Sequence, residues 1–152
     1  MNWQIKKFHE LSIDELYDAL KLRIDVFVVE QTCFYPDLDN LDRHAESLHL
    51  FCYQNGEMAA YLRILAKGQS YTDYPSIGRV IIAPNARGKG LGHQLMAEAI
   101  NACSTYFPEQ DIKISAQEHL ECYYNKHNFV RVSQMYLEDG IPHIAMIKKA
   151  SE

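Results

Sequence analysis

Hydrophobic and polar positions follow two spacings along the chain, and these spacings predict helices and strands in a mixed order. Apolar residues three and four apart predict a helix that begins after Ser12 and runs to about Val28 or Val29. Glu15 completes a capping box with Ser12 at its start. The same spacing predicts a second helix over 93–106 and a short one over 119–126. Alternating or continuous apolar stretches predict strands over 2–8, 48–54, 57–65, 77–82, 111–116, 129–137 and 143–148.

Three segments between these elements have the composition of turns and loops. Asn55 and Gly56 are typical of a tight hairpin turn, and residues 138–140 are expected to form another turn. Residues 34–47 are rich in acidic side chains and predict an irregular loop, with at most a short helix.

The composition is that of one globular domain over residues 1–152, because apolar residues make up 47% of the chain and charged residues 23%. No apolar run approaches the roughly 20 residues that a membrane helix requires, and residues 1–8 do not resemble a signal peptide. The cysteines at 33, 52, 103 and 122 form no closely spaced pair, which favours reduced thiols. We therefore expect a cytoplasmic protein with no membrane partner.

The formal net charge of -5 argues against a nucleic-acid partner. It is compatible with a cationic substrate that is attracted to an acidic cleft. The histidines do not have the spacing of metal ligands, since no His-Glu-x-x-His segment is present. The sequence thus predicts no metal site.

The most informative segment is the turn between the strand at 77–82 and the helix that follows it. Its glycines let a ligand approach the backbone, and Arg87 and Lys89 add two cations. Backbone N–H groups of such a turn, and of the first turn of a helix, are well placed to bind an anion. The turn is therefore a candidate diphosphate site.

Two common phosphate-binding motifs do not fit this turn. A P-loop requires a glycine where Ala83 stands and a hydroxyl side chain where Gly90 follows the lysine. A dinucleotide-binding fingerprint requires a third glycine where His93 stands. Neither an ATP site nor a Rossmann site is predicted.

Residues Arg87 to Gly92 read Arg-x-x-Gly-x-Gly, and this segment resembles the acetyl-CoA pyrophosphate loop of the GNAT superfamily of N-acetyltransferases. The order of the predicted elements is also similar to that of the family. The resemblance implies an α/β (α+β) fold: a mixed, mostly antiparallel sheet with helices on both faces and a splayed pair of parallel strands that admits the cofactor. Segments 26–31, 77–81 and 138–144 further resemble the small ElaA-type subgroup.

The resemblance implies acetyl-CoA as co-substrate and assigns residues to it. The backbone of Val80, Ile81 and Ile82 would bind the pantetheine arm. The pyrophosphate would be wrapped by the loop residues Arg87, Gly88, Lys89, Gly90, Leu91 and Gly92. Gln117 stands where the family commonly has Asn and would contact the cofactor.

The family's helix signature Tyr-x-x-x-Gly-Phe is matched by Tyr124, with Asn128 in place of the glycine. Acyl transfer needs a proton for the departing thiolate, and a phenol with a pKa of about 10 is a workable general acid. We therefore predict that Tyr124 is the catalytic acid. The alternative is a tyrosine that only fills the core.

An alkylamine with a pKa of about 10.4 is almost entirely protonated at neutral pH, so the reaction also needs a base. Glu30, at the end of the first helix, and His143, next to the last strand, are both candidates. Glu30 could instead be a solvated or capping carboxylate, and His143 an internally hydrogen-bonded histidine. A water molecule bridged to either residue would serve equally well.

Residues 34–47, here called the acidic loop, correspond to the segment that usually covers the acceptor site in the family. Two interpretations of its carboxylates stay open: they recognise a cationic amine, or they form a solvated surface. These carboxylates belong to Asp37, Asp39, Asp42 and Glu46.

The sequence therefore predicts an N-acetyltransferase that moves an acetyl group from acetyl-CoA to a primary amine of a small molecule or a protein. One rival is a CoA-binding sensor without turnover, and another is a purely structural interaction domain. Edge strands within 129–148 could pair with a second copy, which would give a homodimer.

Overall fold

The backbone forms two four-stranded sheets with helices packed against them. The computed structural model describes residues 2–150, so that residues 1, 151 and 152 of the predicted domain lie outside the described part. The strands are β1 (Gln4–Lys7), β2 (Leu48–Gln54), β3 (Glu57–Leu65), β4 (Ser76–Ile82), β5 (Ile112–Gln117), β6 (Val130–Arg131), β7 (Tyr136–Glu138) and β8 (Ile141–Lys148). The α-helices are α1 (Ile13–Arg23), α2 (Leu91–Tyr106) and α3 (Glu121–Asn125).

The first sheet has the antiparallel order β1-β2-β3-β4, and the second has the order β5-β8-β6 with β7 also paired to β8. The strands β4 and β5 belong to different sheets. The backbone N–H of Lys113 donates to the carbonyl oxygen of Pro75 at 3.1 Å, where both strands begin. Beyond this bond, a cavity lies between β4 and β5, so the expected splayed strand pair is present.

Helices cover both faces of the first sheet. Residues 58–65 of β3 are all buried, and successive side chains of a strand point to opposite faces. Both α1 and α2 contact this strand. The core residues of α2 are Leu91, Leu95, Met96, Ala99 and Cys103. Among residues 2–150, no helix is both long and apolar enough to cross a membrane.

The predicted start of α1 is confirmed. The hydroxyl of Ser12 accepts from the Glu15 N–H at 3.0 Å, and the Glu15 carboxylate accepts from the Ser12 N–H at 2.9 Å. The α-helix ends at Arg23, and the chain continues as a π-helix over Ile24–Glu30. The helical segment therefore reaches slightly beyond the expected end, and its wider last turns are of a kind that is frequent at functional sites.

The predicted strand over 129–137 is wrong, because the structure divides it into β6 and β7. The Ser133 hydroxyl accepts from the Ala145 N–H at 2.9 Å and replaces a backbone partner there. This side-chain bond competes with strand pairing, and the chain leaves the ladder between the two short strands. The expected turn at 138–140 is also shorter, since Glu138 still belongs to β7.

Candidate active site

A cavity of about 480 Å³ lies where β4 and β5 separate, within the usual size range of small-molecule sites. One wall is formed by β4 and the facing residues of β5. The acidic loop and the turn between β7 and β8 form the other side, and Tyr124 of α3 also lines the cavity. Five segments of the chain thus share one concave surface.

A β-bulge interrupts β4 at the cavity. Gly78 pairs with Arg63 and Ile81 pairs with Tyr61, so that Arg79 and Val80 together oppose a single residue of β3. Arg79 has a φ of 51°, a left-handed conformation that is uncommon for a residue other than glycine. A bulge leaves backbone groups unpaired, so the backbone of β4 can bond a ligand at this point.

The glycine-rich turn leads from β4 into α2. Gly88 and Gly90 have φ values of 83° and 80°, conformations that glycine adopts without steric cost. Gly90 caps α2 and offers no side chain to the N–H groups of the first turn. The His93 N–H donates to the Gly90 carbonyl oxygen at 3.2 Å, and the N–H groups of Leu91 and Gly92 precede the first hydrogen bond of the helix. The turn therefore has the local chemistry of an anion site.

Arg87 and Glu30 are brought together by the fold. Arg87 Nη2 lies 2.8 Å from Glu30 Oε1, and Nη1 lies 3.1 Å from Oε2. The Arg87 Nε–H also donates to the carbonyl oxygen of Ile82 at 3.1 Å. Both side chains of the pair are more than 40% exposed. Glu30 is therefore the ionic partner of a loop cation and does not line the cavity.

Tyr124 both packs in the core and borders the cavity. Its side chain is 6% exposed, and its ring contacts Tyr123 and Phe129 edge-on. Burial, and then the neighbouring Tyr123, raise the pKa of Tyr124 well above its ordinary value. The hydroxyl is consequently protonated at neutral pH, as a general acid must be.

Gln117 and His143 lie side by side, because β5 and β8 pair in a register that places them opposite each other. Both line the cavity together with Val80 and Tyr124. Gln117 approaches Gln31 at 3.5 Å. His143 Nδ1 lies 2.7 Å from the carbonyl oxygen of Ile141, and its Nε2 lies 3.3 Å from Glu138 Oε2.

Neither interpretation of the acidic loop holds for its central carboxylates. Asp37 is only 2% exposed, and it pairs with Arg23 at 2.9 Å and with Arg79 at 2.8 Å. Asp42 is also buried and lies 2.7 Å from Arg23 and 3.0 Å from Arg63. These carboxylates are neither solvated nor free to bind a cationic amine, because internal arginines already neutralise them.

Sequence reasoning missed the three arginines of this network. Arg23 occupies an apolar-face position of α1, and Arg63 lies in a strand that is otherwise apolar. A cation at a core position is the signal that could have revealed them, since a buried charge requires a partner. Among residues 2–150, no three His, Cys, Asp or Glu side chains group as ligands for a metal ion.

Comparisons with known proteins agree with this architecture. Residues 23–150 match the family model of the acetyltransferase (GNAT) domain. Protein ElaA of Escherichia coli is 40% identical over 149 residues, which cover 98% of this chain and 97% of that protein.

Solved structures extend the similarity to three dimensions. An acyl-CoA N-acyltransferase from Pseudomonas aeruginosa superposes with a TM-score of 0.92 at 43% identity, covering 97% of this chain and 98% of that one. A CoA-dependent acyl-homoserine lactone synthase shares the fold alone, with a TM-score of 0.77 at 16% identity over 97% of this chain and 82% of that one. The chain therefore belongs to the GNAT family of acetyltransferases, adopts the acyl-CoA N-acyltransferase fold and is a homologue of the ElaA proteins.

Proposed function

We propose that the protein transfers an acetyl group from acetyl-CoA directly to a primary amine. The observation that carries this proposal is the joint position of Tyr124, His143 and the β4 bulge around one cavity. Such a cavity can receive a thioester against the strand backbone while an acid and a base face it. The acceptor is an amine of a small molecule or of a protein.

Acetyl-CoA would bind along β4 and the turn after it. The backbone of Val80, Ile81 and Ile82 would bond the pantetheine arm, beginning at the bulge where pairing to β3 is interrupted. The pyrophosphate would lie against the N–H groups of residues 88–92, with Arg87 and Lys89 as counter-ions. In this assignment Arg87 exchanges its contact with Glu30 for the phosphate, and Gln117 contacts the cofactor from β5.

Tyr124 would act as general acid and protonate the departing thiolate. Strand N–H groups would stabilise the oxyanion of the tetrahedral intermediate. For the base, the contacts favour His143 over Glu30. His143 lines the cavity, whereas Glu30 does not.

The first experiment is a thermal shift with CoA and acetyl-CoA, because a ligand that binds only the folded state raises the melting temperature. A purely structural domain would show no shift. Acyl transfer to a panel of primary amines, followed by mass spectrometry, then separates an enzyme from a CoA-binding sensor. Tight binding without transfer to any amine would refute the proposed activity and support the sensor. The cytoplasmic location and the homodimer stay predictions from the sequence.

A further inference from the structure

Polar side chains from three neighbouring strands lie at one wall of the cavity, which is lined directly by Ser115, Gln117, Glu138 and His143. Gln117 of β5, His143 of β8 and Tyr136 of β7 stand in one row of paired residues. Ser115 precedes Gln117 by two positions and therefore lies on the same face of β5. Glu138 has the same relation to Tyr136 on β7. This wall is built by sheet register, and it contains two groups that the sequence did not indicate as functional, Ser115 and Glu138.

The contact of His143 with the backbone defines its neutral tautomer. Nδ1 lies 2.7 Å from the carbonyl oxygen of Ile141, and a carbonyl oxygen can only accept a hydrogen bond. Nδ1 must therefore carry a proton. In the neutral ring Nε2 then has a free lone pair, which is the form of histidine that can take a proton from an amine.

Glu138 stands at the nitrogen that would receive this proton. Its Oε2 lies 3.3 Å from His143 Nε2. While the ring is neutral, two lone pairs face each other across this distance. Once Nε2 is protonated, the same contact becomes a charge-assisted hydrogen bond, which is about twice as strong as a neutral one. Glu138 thus favours the state of His143 that follows proton transfer.

The carboxylate of Glu138 is held in place by a chain of hydroxyls, although its side chain is half exposed. The Ser115 hydroxyl donates to Glu138 Oε1 at 3.1 Å. The Tyr136 hydroxyl lies 2.5 Å from Ser115 Oγ and donates to it, because the serine proton is already used. Glu138 Oε1 therefore has a defined donor, and Oε2 is left to accept from His143 Nε2 once that nitrogen is protonated.

From this geometry we propose that Glu138 is a positioning residue, which stabilises and orients the protonated form of His143 after His143 has taken a proton from the acceptor amine. The inference rests on the proposed N-acetyltransferase function. In the step, the amine nitrogen forms a C–N bond to the thioester carbonyl carbon, and one N–H proton moves to His143 Nε2. The C–S bond breaks, and the CoA thiolate takes the proton of Tyr124. Solvent returns a proton from His143 to Tyr124, so that the products are the amide and CoA thiol.

The test compares Glu138→Gln and Glu138→Asp with the wild-type enzyme, using acetyl-CoA and an acceptor found in the amine panel. The amide removes the charge without changing the size of the side chain, so we expect kcat to fall about 10-fold or more, with little change in the KM for acetyl-CoA. The aspartate keeps the charge and should restore part of the rate. Glu57→Gln is the matched control, because Glu57 lies exposed at the β2–β3 turn and should leave kcat unchanged.

Nitrogen NMR of 15N-histidine-labelled protein gives a second readout, which does not depend on turnover. Neutral His143 should show the Nδ1–H tautomer, and an Nε2–H tautomer would overturn the inference.

If Glu138→Gln keeps the wild-type kcat, or raises only the KM of the amine, Glu138 merely attracts the acceptor and the inference fails while the proposed function stands. If the wild-type protein acetylates no amine, the proposed function fails, and the inference falls with it.

Discussion

Replacement of Arg23 by alanine is the most severe test of how the acidic loop is attached to the domain. Arg23 is 1% exposed, and its Nη2–H donates to the carbonyl oxygen of Asp37 at 3.0 Å. It also forms ion pairs with the carboxylates of Asp37 and Asp42. In the wild-type protein, three arginines balance three aspartates in this network. Alanine leaves it with one uncompensated negative charge and an unfilled volume.

The expected cost follows from the burial of these charges. Removal of one partner from a buried ion pair typically costs about 3–5 kcal/mol, because the remaining charge stays desolvated. Asp37 retains Arg79 and Asp42 retains Arg63, so a value near the lower end is expected. For a chain of this length, each kcal/mol lowers the melting temperature by about 2–4 °C. Arg23→Ala should therefore lower it by roughly 6–12 °C for a loss of about 3 kcal/mol.

Urea unfolding followed by far-ultraviolet circular dichroism measures the free energy directly. Lys21→Ala is the control from the same helix, because its ion pair with Asp25 is 65% and 51% exposed and such pairs contribute less than about 1 kcal/mol. Asp42→Asn should cost less in the Arg23→Ala background than in the wild-type protein, since the two residues interact. If Arg23→Ala destabilises no more than Lys21→Ala, the buried network does not stabilise the fold.

Three further outcomes follow from the described contacts. Partial burial raises the pKa of Asp39, but the hydrogen bonds and charge of Arg63 outweigh it and lower this pKa to about 2. This value lies below the ordinary one of about 3.9, so the stability that Asp39 contributes is present above pH 4 and is lost as the pH falls towards 2. The midpoint of urea unfolding, measured from pH 6 to pH 2, should fall accordingly. Asp39→Asn should make this fall smaller. Tyr124→Phe should lower kcat by about 100-fold or more while CoA still raises the melting temperature, and an unchanged kcat would exclude Tyr124 as the acid. Gly90→Glu should abolish the thermal shift with CoA, because φ is 80° at this position and a carboxylate would repel the diphosphate. Arg87→Ala should weaken the same shift. If both variants keep the full shift, the cofactor binds elsewhere.

Local signals were sufficient for much of the fold. Asn55 and Gly56 both have positive φ in the β2–β3 turn, as an Asn-Gly hairpin requires, and the two strands have the predicted bounds. The Ser12 capping box and the start of α1 depend only on residues that are three apart. The splayed strand pair came from the resemblance to the family and not from periodicity.

Long-range contacts could not be predicted in the same way. Asp37 and Arg79 are 42 positions apart, and Glu138 meets Ser115 across 23 positions. These partners are chosen by sheet register and by loop placement, which no local pattern encodes. The division between β6 and β7 has a similar origin, since it depends on a bond between Ser133 and Ala145.

The conformation of Arg79 has a consequence for the order of events during catalysis. Its backbone forms the bulge at which acetyl-CoA is proposed to lie, while its guanidinium holds the carbonyl oxygen of Asp37 at 2.9 Å. Arg79 therefore belongs to the proposed cofactor site through its main chain and contacts the acidic loop through its side chain. Occupation of the strand by the thioester would fix the bulge and, through it, the loop. If the proposed function holds, we expect an ordered mechanism, in which the amine binds productively only after the coenzyme.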